Sequence, residues 1–346
     1  MNKSVYIVAE ISANHNQSYA MAKKLVRVAK EVGADAVKLQ TYTPDTLTIN
    51  SNRPEFTIKG GTPWDGQTLY ELYSKAYMPW DWQPKLKKLA DDIGIELFST
   101  PYDKTAVDFL KSMGVARYKI ASFELVDLPL IKYVASTRKP LIISTGMATL
   151  SEIKEAVSEA VKAGATDITF LKCISAYPAP IVGMNLKAMS HLKMQFPHLT
   201  LPKKVKISVG LSDHTLSSVV PIVAVALGAT VVEKHLTLSR KDLSPDCSFS
   251  LEPDEFKKMV DDIRIAEQAL GEKKIGMSEA EKGSLSFRRS LFVVEDVKAG
   301  EEFTNDNIRS IRPAGGLMPK HLDEILGKKA TRDIDRGTPL IFRDIG

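Results

Sequence analysis

Several polar side chains in this sequence sit where chemistry needs them and packing does not. Two histidines occur in short strand-like contexts, Ser212-Asp213-His214-Thr215 and Glu233-Lys234-His235. Two imidazoles at neighbouring strand ends, completed by substrate oxygens and waters, suit a divalent ion such as Mn2+, Mg2+ or Co2+. No third His or Cys ligand accompanies them, which argues against a closed structural zinc site. Lys38, Lys119, Thr100, Ser122 and Ser144 form a second group. Lysines supply point charge and hydroxyls supply donors, the combination that holds a phosphate and a carboxylate.

These residues need a scaffold that brings distant segments to one rim. Eight short apolar runs can do so: Val5–Ile11, Ala36–Thr41, Glu96–Pro101, Arg117–Ser122, Leu141–Gly146, Thr169–Ser175, Lys206–Ser212 and Thr230–Thr237. Their lengths and Val/Ile content are those of buried parallel strands. Helical segments lie between them, among them Met21–Val32, Thr149–Ala163 and Leu216–Leu227. Ser151 or Thr149 is an expected N-cap of the second, and Gly164 follows its end. A Gly-Ala step precedes the next strand in all three cases: Gly33-Ala34, Gly164-Ala165 and Gly228-Ala229. Eight strands alternating with helices form an α/β pattern, and a (β/α)8 TIM barrel is its expected fold. An open doubly wound sheet uses the same units, but no G-x-G-x-x-G follows any strand. Within the second run, alternation puts Lys38 and Gln40 on one face and Val37 and Leu39 on the other. Glu233 and His235 likewise share a face, and Cys173 is expected to serve packing.

The chain has 346 residues, with 47 Lys+Arg against 42 Asp+Glu for a net charge of +5. That mild excess tolerates an anionic small substrate and gives no footprint for nucleic acid. With two cysteines, Cys173 and Cys247, a disulfide framework is excluded and a reducing compartment expected. No stretch of about 18 apolar residues can span a membrane. The N-terminus lacks a signal-peptide pattern, so a cytoplasmic protein is expected. Residues 1–271 read as the barrel domain, 272–289 as a charged linker and 290–346 as a small second domain. Within the last, a strand and a Lys-Ala-Gly turn are expected before a helix starting at Thr304-Asn305-Asp306-Asn307. The stretch Asn50–Met78, with Gly60-Gly61 and Trp64-Asp65-Gly66, is long for a βα connection, as functional lids often are.

The strand-end motifs SDHT, EKHLTL, KLQT, FSTP, YKIAS and ISTGM resemble the sialic acid synthase family. Phe287-Arg288-Arg289-Ser290 and Ser310-Ile311-Arg312-Pro313 are similar to the linker and the antifreeze-protein-like (SAF, β-clip) domain of those enzymes. The resemblance runs in order through essentially the whole chain. TLYELYSKAYMPWDW, PYDKTAVDFL, SFELVDLPLI and LKCISAYPAP look most like the pseudaminic acid synthases of the family. Where sialic acid synthases usually carry a His-Cys-Thr-Asn type motif, this chain has Lys172-Cys173-Ile174-Ser175. That departure points away from N-acetylmannosamine as acceptor. The N-acetylneuraminate and legionaminic acid alternatives remain open.

The resemblance implies condensation of phosphoenolpyruvate with an open-chain amino sugar, 2,4-diacetamido-2,4,6-trideoxy-altrose, and water. It implies that His214 and His235 hold the metal. It places Glu124 at the reacting centre as base or charge stabiliser, with Glu10 and Lys119 as further catalytic candidates. Lys38, Lys119, Thr100, Ser122, Ser144 and Ser212 would hold phosphoenolpyruvate. Ser175 stands where the family has an amide-bearing phosphate contact. Gln40, Tyr177, Glu233 and Asp246, with Glu10, would meet sugar, metal or water. Arg312 matches an arginine that reaches the sugar from a partner subunit, which implies a domain-swapped homodimer. A Schiff-base aldolase with Lys119 as nucleophile, or a carbohydrate-binding protein built around the tail, are the readings from other classes.

Overall fold

A computed structural model describes residues 4–196, 202 and 204–346. Eight parallel strands close into a barrel in sequence order: β1 Tyr6–Glu10, β2 Ala36–Thr41, β3 Glu96–Pro101, β4 Tyr118–Ile120, β5 Leu141–Ser144, β6 Asp167–Lys172, β7 Lys206–Asp213 and β8 Val231–His235. The expected TIM barrel is therefore the fold of the larger unit, Met1–Gly271. Pairing of β8 with β1 closes the ring, with Glu10 opposite His235.

The two-residue alternation of each strand separates an outer apolar layer from a polar interior. Ile7, Ala9 and Ile11 around β1, and Val37 and Leu39 of β2, pack against Leu25, Val26 and Ala29 of the helix Tyr19–Glu31. Ser18 caps that helix by accepting from Met21 N at 3.3 Å. The interleaved residues, Val8 and Glu10 on β1 and Ala36, Lys38 and Gln40 on β2, face the other way. Gly210 on β7 is required by this closure. A Cβ there would stand 2.4 Å from Val231 O and 2.7 Å from Leu171 Cδ2.

Thr149 and Glu152 form a reciprocal capping box on the helix Leu150–Lys162, which makes Thr149 rather than Ser151 the N-cap. The expected helix from Leu216 begins only at Val219. Thr215 and Ser217 are instead held by Lys234, whose ammonium takes the Thr215 and Ser217 carbonyls. Residues 50–78 hold a short turn at Pro54–Phe56 and the helix Leu69–Ala76, capped by Thr68 and Glu71.

The second unit, Glu272–Gly346, has its own core of Leu291, Val293, Val297, Phe303, Ile308, Ile325, Ala330, Ile334 and Leu340. Its exposed 3-10 stretch Glu279–Phe287 falls in the segment read as a linker. Strands β9 Ser290–Val293 and β10 Ile308–Ile311 pair antiparallel. The helix expected from Thr304 is a turn leading into β10. Asn307 Oδ1 accepts from Thr304 N at 2.8 Å while its Nδ2 donates to Glu302 O at 2.9 Å, closing the turn. Among the described residues no helix is long and apolar enough to cross a membrane.

Candidate active site

The polar ends of the strands converge on a cavity of about 360 Å3, within the range of small-molecule sites. Lys38, Gln40, Lys119, Ser122, Glu124, Ser144, Ser175, Tyr177, Ser212, His214, Glu233, His235 and Asp246 all line it. Glu10 and Thr100 are buried behind this wall, and both contact Lys38. Arg312 belongs to the second unit, exposed just after β10 and before a cis peptide bond to Pro313.

A buried charge cluster floors the cavity. Lys38 pairs with Glu10, lies 3.7 Å from Glu233 and donates to Thr100 Oγ1 at 3.2 Å. Lys119 lies 3.3 Å from Glu233, which also accepts from Ser212 Oγ at 3.1 Å. Burial alone would lower the Lys38 ammonium, but Glu10 and Glu233 hold it above the ordinary lysine value. Burial would raise the Glu233 carboxyl, yet Lys119 and Lys38 hold it below the usual range. Lys119 is pushed down by burial, and Glu233 offsets only part of that. Both lysines are thus buried and aimed at the cavity, each compensated by carboxylate.

Hydroxyls stand beside the lysines. Ser122 and Ser175 are hydrogen-bonded at 2.7 Å. Ser144 Oγ is buried with no partner among the described residues, a free donor at the cavity wall. Gly146 makes this arrangement possible. It has φ +48°, and an added Cβ would stand 2.5 Å from Ser122 Cβ and 2.8 Å from Ser175 Oγ.

The two imidazoles lie 5.4 Å apart between ring centroids. His214 Nδ1 is 2.8 Å from Ile174 O, so it donates, and Nε2 keeps its lone pair. His235 Nδ1 is 3.2 Å from Ser12 Oγ. Neither Nε2 has a hydrogen-bond partner among the described residues. Burial lowers His214 to about 4, and burial with the neighbouring His214 holds His235 well below the ordinary value. Two neutral imidazoles with unused nitrogens fit the donor requirements of a divalent ion. Among the described residues no group of three or more His, Cys, Asp or Glu is assembled as a cage, so water or substrate would complete such a site.

Glu124 follows β4 and lies at the cavity with a buried oxygen, Oε2, that has no partner among the described residues. Burial raises its carboxyl to about 7. A carboxyl that changes ionisation near neutrality is suited to proton transfer. Asp246 is raised by burial, with the Ser12 hydroxyl and Ala13 N pulling it back.

Sequence reasoning flagged residues 50–78 as a lid but named none of the apolar half of the cavity as site residues. Tyr42, Ile58, Trp64, Leu72, Tyr73, Tyr102 and Phe249 line it. Trp64 Nε1 donates to Pro245 O at 3.0 Å, and its ring meets Tyr177 at 5.5 Å and Phe249 at 6.1 Å. The aromatic density of residues 50–78 was the available signal. Nothing in the local sequence singled out Phe249. Cys173, read as packing, is buried, lines the cavity and accepts from Gly146 N at 3.2 Å.

Comparison with known proteins agrees with this architecture. Residues 25–275 match the model of the NeuB family, and residues 288–345 match the SAF domain. The chain belongs to the NeuB family. It is 46% identical over 339 residues to a pseudaminic acid synthase of Campylobacter jejuni subsp. jejuni serotype O:23/36 (strain 81-176), covering 98% of this chain and 96% of that one. A pseudaminic acid synthase of Helicobacter pylori (strain ATCC 700392 / 26695) is 45% identical over 341 residues, covering 98% and 97%. Among solved structures, the spore coat polysaccharide biosynthesis protein of Bacillus subtilis matches with a TM-score of 0.64 at 31% identity, covering 100% of this chain and 96% of that one. The resemblance to sialic acid synthases and to their antifreeze-like domain is thereby borne out, and this chain is an enzyme of that family.

Proposed function

We propose that this protein is a pseudaminic acid synthase. It joins phosphoenolpyruvate to 2,4-diacetamido-2,4,6-trideoxy-β-L-altropyranose, in its open-chain form, and releases phosphate. The observation that carries this reading is the pair of buried, cavity-facing lysines beside the unused Ser144 hydroxyl. Two buried cations and a free donor suit an anion carrying both phosphate and carboxylate. Lys38, Lys119, Ser122, Ser144, Ser175 and Ser212 hold it.

C3 of the enol ether attacks the sugar aldehyde, forming the new C–C bond. Water adds at C2, and Glu124 takes its proton. The tetrahedral C2 then breaks its bond to the bridging oxygen, which leaves with phosphate, and the 2-keto acid remains. A divalent ion, Mn2+, Mg2+ or Co2+, held by His214 and His235 would supply Lewis-acid polarisation of the aldehyde oxygen. Gln40, Tyr177 and Asp246 lie on the same wall and would orient the sugar.

The apolar wall of Ile58, Trp64, Leu72 and Tyr73 supports this acceptor. A sugar with a methyl at C6 and two acetyl groups presents apolar surface where a common hexose presents hydroxyls. Such a wall leaves hydroxyls without partners and favours methyls.

The enzyme would work as a domain-swapped homodimer in which Arg312 of one copy serves the acceptor of the other. Phe123, Val126, Met147, Ile181 and Val182, in loops that follow β4, β5 and β6, are exposed apolar side chains a second copy could cover. Sedimentation velocity reads the stoichiometry, and a monomer at micromolar concentration would contradict the dimer. Two free cysteines fit the reducing cytoplasm as its compartment.

The test is incubation with phosphoenolpyruvate, Mn2+ and a panel of acetamido sugars, with phosphate release and product mass as readouts. Turnover is expected with the 2,4-diacetamido-6-deoxy acceptor of altro configuration. Preference for the legionaminic-series diastereomer or for N-acetylmannosamine would reassign the acceptor, and absence of phosphate release with every sugar would refute the synthase.

A further inference from the structure

Ser12 follows β1 and is buried, with 2% exposure. Its backbone has φ 34°, a left-handed conformation that residues with a Cβ seldom adopt. Such strain persists only where surrounding contacts over-determine it. Here three do. Ser12 N donates to Glu10 Oε1 at 2.8 Å. Ser12 Oγ lies 3.2 Å from His235 Nδ1. The Asp246 carboxylate is fixed beside this turn, accepting from Ala13 N at 3.3 Å.

An ion taken at Nε2 requires the His235 proton on Nδ1, and Ser12 Oγ, 3.2 Å away, is the acceptor in reach of it. His235 then carries its proton on Nδ1 and presents the lone pair of Nε2. His214 reaches the same state through a backbone acceptor, Ile174 O. Among the described residues His235 has no such carbonyl, and the strained serine takes that place.

We propose that Ser12 is a positioning residue that fixes the tautomer and ring orientation of His235, so that both imidazoles present Nε2 to one divalent ion. The inference rests on His214 and His235 holding that ion. Ser12 itself does not line the cavity. A group that orients a metal-bound imidazole typically changes affinity about 10–100-fold when removed.

Ser12→Gly separates positioning from folding. It deletes the hydroxyl and relieves the left-handed backbone, so the apo protein should melt at the wild-type temperature or above. Mn2+ binding, followed by the electron paramagnetic resonance signal of the free ion, should weaken about 10–100-fold. Ser12→Ala should weaken binding equally while keeping the strain. Wild-type affinity in Ser12→Gly would overturn the role of Ser12 and leave the two-histidine site standing. Loss of Mn2+ binding only together with a lower apo melting temperature would mark Ser12 as a folding residue and also overturn it. No Mn2+ binding by the wild-type protein would overturn both readings.

Discussion

Asp213 and Lys234 form an ion pair of 2.5 Å with both side chains completely excluded from water, and each directly precedes one of the two cavity histidines. The two residues are opposite each other in the register of β7 and β8. Their side chains point away from the cavity, so the next residue on each strand points into it. Asp213 also accepts from Thr215 N at 3.0 Å and Thr215 Oγ1 at 3.1 Å. The pair thus ties together the two strand ends that place His214 and His235.

Removing one partner of a buried pair leaves an uncompensated charge, which costs about 3–5 kcal/mol. Lys234→Met should therefore lower unfolding free energy by about that amount in urea titrations. The double variant Asp213→Leu/Lys234→Met should recover much of it. A single variant within 1 kcal/mol of wild type would show that the pair does not hold the rim.

Glu124 gives a pH signature. Its carboxyl is raised from 4.5 to about 7 in the folded protein, chiefly by burial. The folded state therefore holds this proton more tightly than the unfolded chain. The contribution to stability is complete below the unfolded value, and it is lost as pH rises through about 7. Glu124→Gln stays neutral, so its melting temperature should gain on wild type between about pH 4.5 and 7, then run parallel. In kcat/KM profiles the rising limb near neutrality should vanish in the variant along with most activity. Equal melting curves at all pH values would place Glu124 in a solvated environment.

Gly146→Ala tests the hydroxyl cluster. The added methyl meets Ser122 Cβ and Ser175 Oγ on a backbone of positive φ. Strain and overpacking together should cost on the order of 2–4 kcal/mol. The KM for phosphoenolpyruvate should rise well beyond that for the sugar. An unchanged donor KM would remove Ser122 and Ser175 from the donor site.

Trp64→Ala should act on the other substrate. Its ring packs on Tyr177 and Phe249 in the apolar wall. Truncation should raise the acceptor KM about tenfold or more, equivalent to about 1.4 kcal/mol, with the donor KM little changed. Equal changes in both constants would mean that the wall supports the whole cavity rather than the sugar.

The barrel was legible because burial on both faces gives parallel strands an unmistakable apolar content, and because Lys38, Glu233 and His235 interrupt it only at one edge. The start of the helix at Val219 was not legible, since Lys234 reaches Thr215 and Ser217 from a distant strand. Thr304 to Asn307 carries helix-start residues, but the Asn307 side chain closes a turn instead. Ser12 escaped notice for a related reason. A serine after a strand reads as a cap, and only coordinates show its left-handed backbone and its contact with His235.

The condensation itself is tested most directly by an oxygen label. Phosphoenolpyruvate carrying 18O at the bridging position is incubated with the 2,4-diacetamido-2,4,6-trideoxy-altrose acceptor and Mn2+, and both products are weighed by mass spectrometry. C–O cleavage at C2 predicts labelled phosphate and an unlabelled nine-carbon keto acid. Label retained in the keto acid, or labelled pyruvate formed without a nine-carbon product, would contradict it.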